Sequence, residues 1–398
     1  MTIQPLAITA TSLVSAIGRG GAATLSALRE RRGGLRLCDF GDIGPSGFIG
    51  RISELEAHAL PAALARFDCR NNRLADMALA TDGFADAVAI ARRRYGADRI
   101  AVILGTSTSG IQAGEDAYRR RDPATGALPA DFDFEHSHDI FSLGRFVRTA
   151  LGLHGPVSVI STACASSALS FADAHQLIAC DVVDAAVVGG VDSLCRMTLR
   201  GFAALDLISP QPCRPCDAAR SGISLGEAGG FALLERADAA PDATLALLGY
   251  GVTSDGYHMS SPHPHGAGAI GAMREALRRA GLAPDAIDYV NLHGTATRAN
   301  DAVEDMAVSE VFGTATPCSS TKGWTGHTLG AAGIVEAVIS TLCITHGFTP
   351  GGMNLTEVDP GFSAAVLTEN RSLPVRRVVS NSFGFGGINC SLVLGAPA

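Results

Sequence analysis

The sequence predicts an α/β protein with a mostly parallel central sheet, built from two related halves. Short apolar runs alternate with longer helical stretches, which is the pattern of strands connected by helices. The length of 398 residues exceeds the roughly 250 to 300 residues at which a single hydrophobic core stops growing. Each half also contains one strand-to-helix turn of small and polar residues. The joint is predicted within 236–243, which is rich in Ala and Asp, so the halves are 1–238 and 239–398.

Short apolar runs predict the buried strands, and longer stretches ended by Gly or Pro predict the helices. The predicted strands are 100–104, 157–160, 185–188, 244–248, 287–292 and 378–382. The predicted helices are 22–31, 74–94, 166–179, 267–280, 300–312 and 331–346.

The two strand-to-helix turns indicate an internal duplication. In the first half, the strand 157–160 leads through Ser161 and Thr162 to Cys164 and a helix. In the second half, the stretch 318–322 leads through Gly326 and His327 into an Ala-rich helix. Equivalent helices that face one another across a pseudo-twofold axis would bring residues distant in sequence together.

Charge and composition exclude several classes of protein. The formal net charge of −8 argues against a nucleic-acid binder, which needs a basic surface to neutralise phosphates. Because 1–18 has no basic segment before an apolar run, and no stretch reaches about 18 apolar residues, we expect no membrane span and a cytoplasmic location.

The cysteines and histidines show no metal-binding pattern. Ten irregularly spaced cysteines suggest reduced thiols rather than a disulfide framework. Cys213 and Cys216 form an isolated CxxC pair, which we interpret as incidental, and His263 and His265 lack companion ligands. With no phosphate-binding loop and no HExxH motif, we expect neither metal nor cofactor.

Cys164 is the candidate nucleophile. It lies where a strand ends and a helix begins, so the helix dipole and free backbone N–H groups are expected to lower the pKa of its thiol. Its small neighbours leave room for a thioester, and backbone N–H groups at such a turn can hold an oxyanion. Taken alone, a cysteine here is more often a buried structural residue.

Two histidines strengthen the catalytic interpretation. His293 follows the predicted strand 287–292, and His327 lies between Gly326 and Thr328 in a second cramped turn. Lys322, five residues before His327, is expected to fix that imidazole through a carboxylate such as Glu336. The alternatives are structural histidines and a solvated lysine.

A resemblance unites these motifs. The segment 162–167, His293-Gly294-Thr295, Lys322 with Gly326-His327, and 384–387 together resemble the β-ketoacyl-acyl-carrier-protein synthases of the thiolase superfamily, and the resemblance runs from about Ile8 to Leu394. It implies the thiolase-like fold of duplicated α-β-α-β-α layered halves. It also implies a dimer, either a homodimer or a heterodimer with a related subunit, and acyl- and malonyl-loaded acyl carrier protein as partners.

The same resemblance implies a role for each site residue. Cys164 would take the acyl chain, His293 and His327 would assist decarboxylation of a malonyl thioester, and Lys322 would support His327. Phe385, flanked by Gly384 and Gly386, would be the gate and would share the oxyanion hole with Cys164. The implied supporting residues are Glu304, Glu336, Thr295 and Thr297, and the implied acyl-tunnel residues are Thr108 and Phe202.

Loop details narrow the resemblance and leave two alternatives. The polar turn 105–110 and the segment 192–196 resemble condensing enzymes of bacterial aryl-polyene pathways, with fatty-acid elongation as the close rival. Thiolases carry a second cysteine where this chain has 384–386, which favours decarboxylative condensation. The alternative from another class is a non-catalytic, chain-length-determining partner subunit, which usually lacks the nucleophile.

Docking of an acidic carrier protein requires a local basic surface despite the negative net charge. Arg66, Arg70 and Arg73 lie on consecutive predicted turns and are the candidates. An ordinary solvated helix face is the alternative interpretation.

Overall fold

The computed structural model describes residues 2–41 and 47–396. The strands are β1 (Leu6–Ser15), β2 (Gly18–Arg19), β3 (Leu35–Leu37), β4 (Phe48–Gly50), β5 (Ile100–Gly105), β6 (Val157–Ile160), β7 (Ala185–Asp192), β8 (Leu225–Gly226), β9 (Ala228–Arg236), β10 (Ala246–Ser254), β11 (Tyr289–Asn291), β12 (Pro317–Ser319), β13 (Phe348–Thr349), β14 (Ala365–Val366), β15 (Arg371–Ser372), β16 (Arg377–Phe383) and β17 (Ile388–Gly395).

Helices cover the sheet and connect its strands. They are α1 (Gly21–Arg29), α2 (Arg70–Leu79), α3 (Phe84–Tyr95), α4 (Ile111–Arg119), α5 (Phe134–Ser137), α6 (Ser142–Leu151), α7 (Ser166–Ala179), α8 (Arg196–Ala204), α9 (Ala267–Ala280), α10 (Arg298–Phe312), α11 (Lys322–Thr325) and α12 (Ala332–His346).

The central sheet shows the duplication directly. Its order is β14-β12-β11-β16-β17-β10-β1-β9-β7-β5-β6, with β2 paired to β1. The first half contributes β1-β9-β7-β5-β6 and the second contributes β10-β17-β16-β11-β12, which is the same order of first, fifth, fourth, second and third strand. Parallel and antiparallel pairs also correspond in the two halves. The expected α/β architecture of two duplicated halves is confirmed.

The equivalent helices α7 and α12 meet at their N-terminal ends. The N–H of Ile334 donates to Oγ of Ser167 over 3.0 Å. A Cβ atom on Gly333 would lie 2.6 Å from the backbone nitrogen of Ala168, so only glycine permits this approach. The contact brings the start of α7, beside Cys164, against the start of α12, which follows His327.

Two features differ from the sequence-based expectation. The sheet is mixed rather than mostly parallel, because β17, β10, β1 and β9 form an antiparallel centre. Of these strands, β9 escaped prediction since it contains a Gly-Gly pair, and β17 escaped prediction since it carries polar residues. The single helix expected over 74–94 is two helices, α2 and α3, separated at Asp82 and Gly83, which have φ of 54° and 70°.

The boundary between the two halves, placed between residues 238 and 239, stays a prediction. It falls between β9 and β10.

All ten cysteines are free thiols. Among the described residues, one helical stretch, Leu329–His346, has the length and hydropathy of a membrane span, but 78% of it is buried inside the fold. Such burial is typical of a core helix.

Candidate active site

A tight turn presents Cys164 at the start of α7. Ala163 adopts a positive φ of 50°, a strained conformation for a residue with a Cβ. Ser166 holds the turn, since its Oγ accepts the N–H of Thr162 over 2.9 Å and donates to the carbonyl of Ala163 over 2.6 Å. The side chain of Cys164 ends in the interior, and the residue is only 5% exposed.

His327 touches the thiol directly. Its Nε2 lies 3.0 Å from Sγ of Cys164, and its Nδ1 accepts the backbone N–H of Leu329 over 3.2 Å. A neutral imidazole has one protonated nitrogen, and the nitrogen that accepts a hydrogen bond cannot be that one. The proton is therefore on Nε2, and His327 directs an N–H toward the sulfur.

Lys322 imposes the same arrangement on His293. Its Nζ lies 3.2 Å from Nδ1 of His293 and also donates to the His293 carbonyl and to Oε1 of Glu336. Because an ammonium group only donates, Nδ1 of His293 is the acceptor and Nε2 carries the proton. The two rings lie 5.5 Å apart, nearly perpendicular at 84°.

The expectation that Lys322 supports His327 is wrong, because its histidine partner is His293. Lys322 makes its hydrogen bonds to His293 and Glu336, while His327 is held by a backbone N–H. Strand register explains the difference, because β11 and β12 run parallel with Asn291 opposite Ser319. Residues a few positions beyond the end of each strand therefore meet across the pair. Lys322 follows β12 and contacts His293, which follows the neighbouring strand β11, although His327 is only five residues away along the chain.

Burial controls the charge of these groups. It lowers the pKa of His293 and of His327 well below the usual value, and the Lys322 ammonium adds to this effect. Both imidazoles are therefore neutral near pH 7. Burial also raises the pKa of the Cys164 thiol to about 11, although Lys322 and the backbone N–H of Phe385 act in the opposite direction. The expected lowering of this pKa is wrong, since desolvation outweighs the helix terminus.

Glu304 fixes the loop that carries His293. One carboxylate oxygen accepts the N–H of His293 and the other accepts the N–H of Gly294, each over 2.7 Å. Burial raises the pKa of Glu304 to about 7. Thr295 and Thr297 follow in this loop with their hydroxyl oxygens 2.9 Å apart, and Thr297 caps α10.

Asp192 is a positioning residue that sequence reasoning missed. Its buried carboxylate accepts the N–H groups of Ser107, Thr108 and Gly330 and the hydroxyls of Thr106 and Thr108. It thereby ties the loop after β5 to the segment that follows His327. An acid that ends a fully apolar strand was the available signal.

A cavity of about 540 Å³ opens onto the thiol. Its lining includes the predicted residues Cys164, His293, His327, Thr295, Thr297, Phe202, Gly384, Phe385 and Gly386. The rings of Phe385 and Phe202 lie 5.9 Å apart across it. Thr108 does not line this cavity; its hydroxyl donates to Asp192 over 2.8 Å, so its proposed tunnel role finds no support within one chain.

The loop that carries Phe385 packs closely on the nucleophile turn. A Cβ on Gly384 would come within 3.0 Å of the carbonyl oxygen of Thr162, and Gly386 adopts a positive φ of 89°. Glycine at both positions permits this close packing, which places Phe385 and Cys164 in the lining of the same cavity.

The three arginines expected for docking do not form a free basic surface. The side chain of Arg70 is only 8% exposed and binds Glu227 over 2.6 Å and Glu56 over 2.7 Å. Arg73 pairs with Asp68 over 2.5 Å. Only Arg66 keeps a mostly exposed side chain, at 60%. The expectation of three available charges is wrong because the sequence pattern showed the cations and not their partners.

The ligand atoms of Cys164, His293 and His327 lie within 4.8 Å of one another. This grouping of a thiol with two imidazoles is the one set of possible metal ligands found among the described residues. Its members come from three separate segments, so no local spacing could have indicated it.

A buried thiol faced by imidazole and backbone N–H donors, on a thiolase-like fold, defines an acyl-transfer site. The Beta-ketoacyl synthase N-terminal domain matches residues 61–240, and the C-terminal domain matches residues 245–356. The chain belongs to the β-ketoacyl synthase family. The predicted family and the predicted class of enzyme, an acyltransferase, are confirmed.

Individual relatives agree with this assignment. The chain is 36% identical to 3-oxoacyl-[acyl-carrier-protein] synthase 2 of Rhizobium meliloti, over 80% of this chain and 78% of that protein. It is 41% identical to a mitochondrial 3-oxoacyl-[acyl-carrier-protein] synthase of Arabidopsis thaliana, with 61% of this chain and 57% of that protein aligned. The match therefore spans little more than half of the Arabidopsis protein.

Solved structures match the whole chain. A chain in the structure of the ketosynthase ApeO in complex with its chain length factor ApeC, from Xenorhabdus doucetiae, has a TM-score of 0.89 and 38% identity, covering 99% of this chain and 98% of that one. The ishigamide ketosynthase/chain length factor has a TM-score of 0.89 and 27% identity, with full coverage of both chains.

Proposed function

We propose that this chain is a β-ketoacyl-acyl-carrier-protein synthase that condenses an acyl group held on Cys164 with a malonyl group carried by acyl carrier protein. The observation that carries the proposal is the grouping of two neutral imidazoles with one buried sulfur: Nε2 of His327 contacts the sulfur, and one ligand atom from each of the three residues lies within 4.8 Å of the others. Neutral donors stabilise a developing negative charge at a carbonyl oxygen without consuming a proton.

In the first half-reaction, the sulfur of Cys164 attacks the carbonyl carbon of an acyl thioester. The backbone N–H groups of Cys164 and Phe385 would hold the oxyanion, and the proposal draws support from the Phe385 N–H, which acts to lower the pKa of the Cys164 thiol against the effect of burial. The carbon–sulfur bond to the carrier breaks, and the proton of the Cys164 thiol goes to the departing carrier thiolate.

In the second half-reaction, the malonyl thioester loses carbon dioxide. The electron pair of the broken carbon–carbon bond moves into an enolate, whose oxygen would accept the Nε2–H bonds of His293 and His327. The enolate carbon then attacks the acyl carbonyl on Cys164. This attack forms the new carbon–carbon bond, and collapse of the resulting adduct breaks the carbon–sulfur bond and expels the Cys164 thiolate, which regains a proton from solvent.

The surrounding residues would position these groups. Glu304 and Glu336 hold His293 directly and through Lys322. Thr295 and Thr297 offer hydroxyls in the cavity to the arm of the carrier protein. Phe385, between two glycines, would act as the gate beside the thiol.

Intact-protein mass spectrometry with acyl-carrier-protein primers tests the assignment of Cys164. We expect an acyl adduct on the wild type, none on Cys164→Ala, and an unchanged adduct on Cys180→Ala, because Cys180 is an exposed thiol at the end of α7 opposite to Cys164. An adduct on folded Cys164→Ala would assign the nucleophile elsewhere. Absence of adduct with every primer would favour the non-catalytic partner subunit, which the retained Cys164, His293 and His327 now disfavour.

The finer proposal concerns pathway and partner. The ApeO structure contains a chain length factor, and the loops of this chain resemble aryl-polyene condensing enzymes, so we propose aryl-polyene elongation with a synthase-like partner subunit in the cytoplasm. Strand β6 supports a partner: it ends the sheet and pairs only with β5 among the described strands. An open strand edge readily pairs with another chain.

Mass measurement of the purified protein tests the β6 interface. Ser158 is the exposed residue of β6, so Ser158→Asp would bury a charge against a partner and should convert a dimer to a monomer. The matched exposed control is Asp181→Ser, outside the strand. A dimer that survives Ser158→Asp would place the interface elsewhere.

For carrier docking, the proposal now rests on Arg66 alone. Arg66→Glu should weaken carrier affinity and its salt dependence, since its guanidinium is the exposed one of the three. Reactivity toward a small soluble thioester should not change. Equal carrier affinity in Arg66→Glu would remove this surface from the proposal.

A further inference from the structure

The catalytic cluster has the composition of a soft-metal site. One thiol and two imidazoles place their ligand atoms within 4.8 Å of one another, and the cavity of about 540 Å³ leaves the remaining direction open. Three such ligands and one open position are the arrangement of zinc sites with an exchangeable fourth ligand.

The contacts of Nδ1, the second nitrogen of each imidazole, disfavour metal binding through Nε2. An imidazole that binds a metal through Nε2 offers its lone pair there and carries its proton on Nδ1, which then donates to an acceptor such as a carboxylate or a carbonyl. Here both Nδ1 atoms face donors: the N–H of Leu329 for His327 and the Lys322 ammonium for His293, each at 3.2 Å. If Nε2 bound a metal, each Nδ1 would carry a proton, and that N–H donor would then face another donor.

We propose that Lys322 and the backbone N–H of Leu329 keep soft divalent cations out of the Cys164–His293–His327 cluster by holding both imidazoles with the proton on Nε2. The same two contacts thus exclude a metal ion that would otherwise bind to the Cys164 thiol. The inference depends on the hydrogen bonds alone and holds whether or not the chain condenses acyl groups.

Glu336 makes Lys322 the decisive residue. Its carboxylate and Nδ1 of His293 both contact the Lys322 ammonium. Without that ammonium, the Glu336 carboxylate and the His293 carbonyl lose the donor that they share with Nδ1 of His293, and a carboxylate or a carbonyl is the usual acceptor for the second nitrogen of a metal-binding histidine. Loss of Lys322 should therefore reveal a latent metal site.

The test is titration with Co²⁺, a spectroscopic substitute for Zn²⁺, followed by competition with Zn²⁺. Lys322→Met should bind about 10- to 100-fold more tightly than the wild type, the range typical of groups that orient metal ligands. Its spectrum should show a thiolate-to-cobalt band that is lost in Lys322→Met/Cys164→Ala. Lys322→Gln, whose amide oxygen can accept a hydrogen bond from Nδ1 of His293, should also bind Co²⁺ more tightly than the wild type. It takes the place of Lys322→Met if that variant fails to fold.

The outcomes are decisive in both directions. Equal Co²⁺ affinity in the wild type and either folded variant would overturn the exclusion, and absence of a Cys164-dependent band in the variants would overturn the latent site. The wild type gives an independent test: Zn²⁺ should not slow alkylation of Cys164 by iodoacetamide. Stoichiometric protection by Zn²⁺ would show that the donors do not exclude the metal.

Discussion

Removal of the Asp192 carboxylate should destabilise the fold and displace the catalytic loops together. In Asp192→Ala, the buried N–H groups of Thr108 and Gly330 and the half-buried N–H of Ser107 lose their acceptor. Each unsatisfied buried donor costs about 1–3 kcal/mol, which gives about 2–6 kcal/mol in the free energy of unfolding for Thr108 and Gly330 together. In Asp192→Asn, one oxygen remains for Ser107 and Thr108, so only the N–H of Gly330 is stranded, at about 1–3 kcal/mol.

The assay is guanidinium-induced unfolding, with acyl-transfer rate as a second readout. Asp184→Ala is the matched control, since Asp184 immediately precedes the strand that Asp192 ends and pairs with Arg99 at a partly exposed site. Such a pair contributes about 0–1 kcal/mol. If Asp192→Ala costs no more than Asp184→Ala, the carboxylate does not hold these loops and the reasoning fails.

Three further predictions follow from burial and packing. Burial lowers the pKa of His293 and His327, so below about pH 6.5 the unfolded state binds more protons than the folded state. The free energy of unfolding should therefore decrease as the pH falls below that value. Calorimetry should show a smaller decrease in the double variant His293→Gln/His327→Gln. Since burial raises the pKa of Cys164 to about 11, its alkylation rate should still increase between pH 9 and 10, whereas a plateau near pH 8 would indicate an activated thiolate in the resting protein. Gly333→Val should lower the melting temperature and the acylation rate together, because its Cβ would lie 2.6 Å from the nitrogen of Ala168; an unchanged melting temperature would show that the two helices can separate freely.

Local sequence was sufficient where chemistry and structure coincide in one segment. The strand that leads to Cys164 and the helix that follows it were predicted with the observed bounds, because an apolar run, a small-residue turn and an Ala-rich helix lie in succession. His293 and His327 could be identified from glycine-flanked turns for the same reason. The duplication was visible since each half repeats one such turn.

Properties that depend on the other half of the chain were not predictable. Whether Lys322 meets His293 or His327 depends on the register of β11 against β12. The pKa of Cys164 depends on how completely other segments bury it. Arg70 looks like a docking charge in sequence, but Glu227, 157 positions away, accepts its guanidinium. Each error came from a partner that is distant in sequence.

The most direct test of the account is the fate of a preformed acyl–Cys164 adduct on addition of malonyl-acyl-carrier protein, followed by rapid-quench intact mass spectrometry. The wild type should lose the adduct as β-ketoacyl product and carbon dioxide appear in equal amounts. His293→Ala and His327→Ala should each form the adduct and then retain it, because the enolate has lost one of its two N–H donors. Normal turnover of the adduct by either variant would contradict the claim that both imidazoles stabilise the enolate.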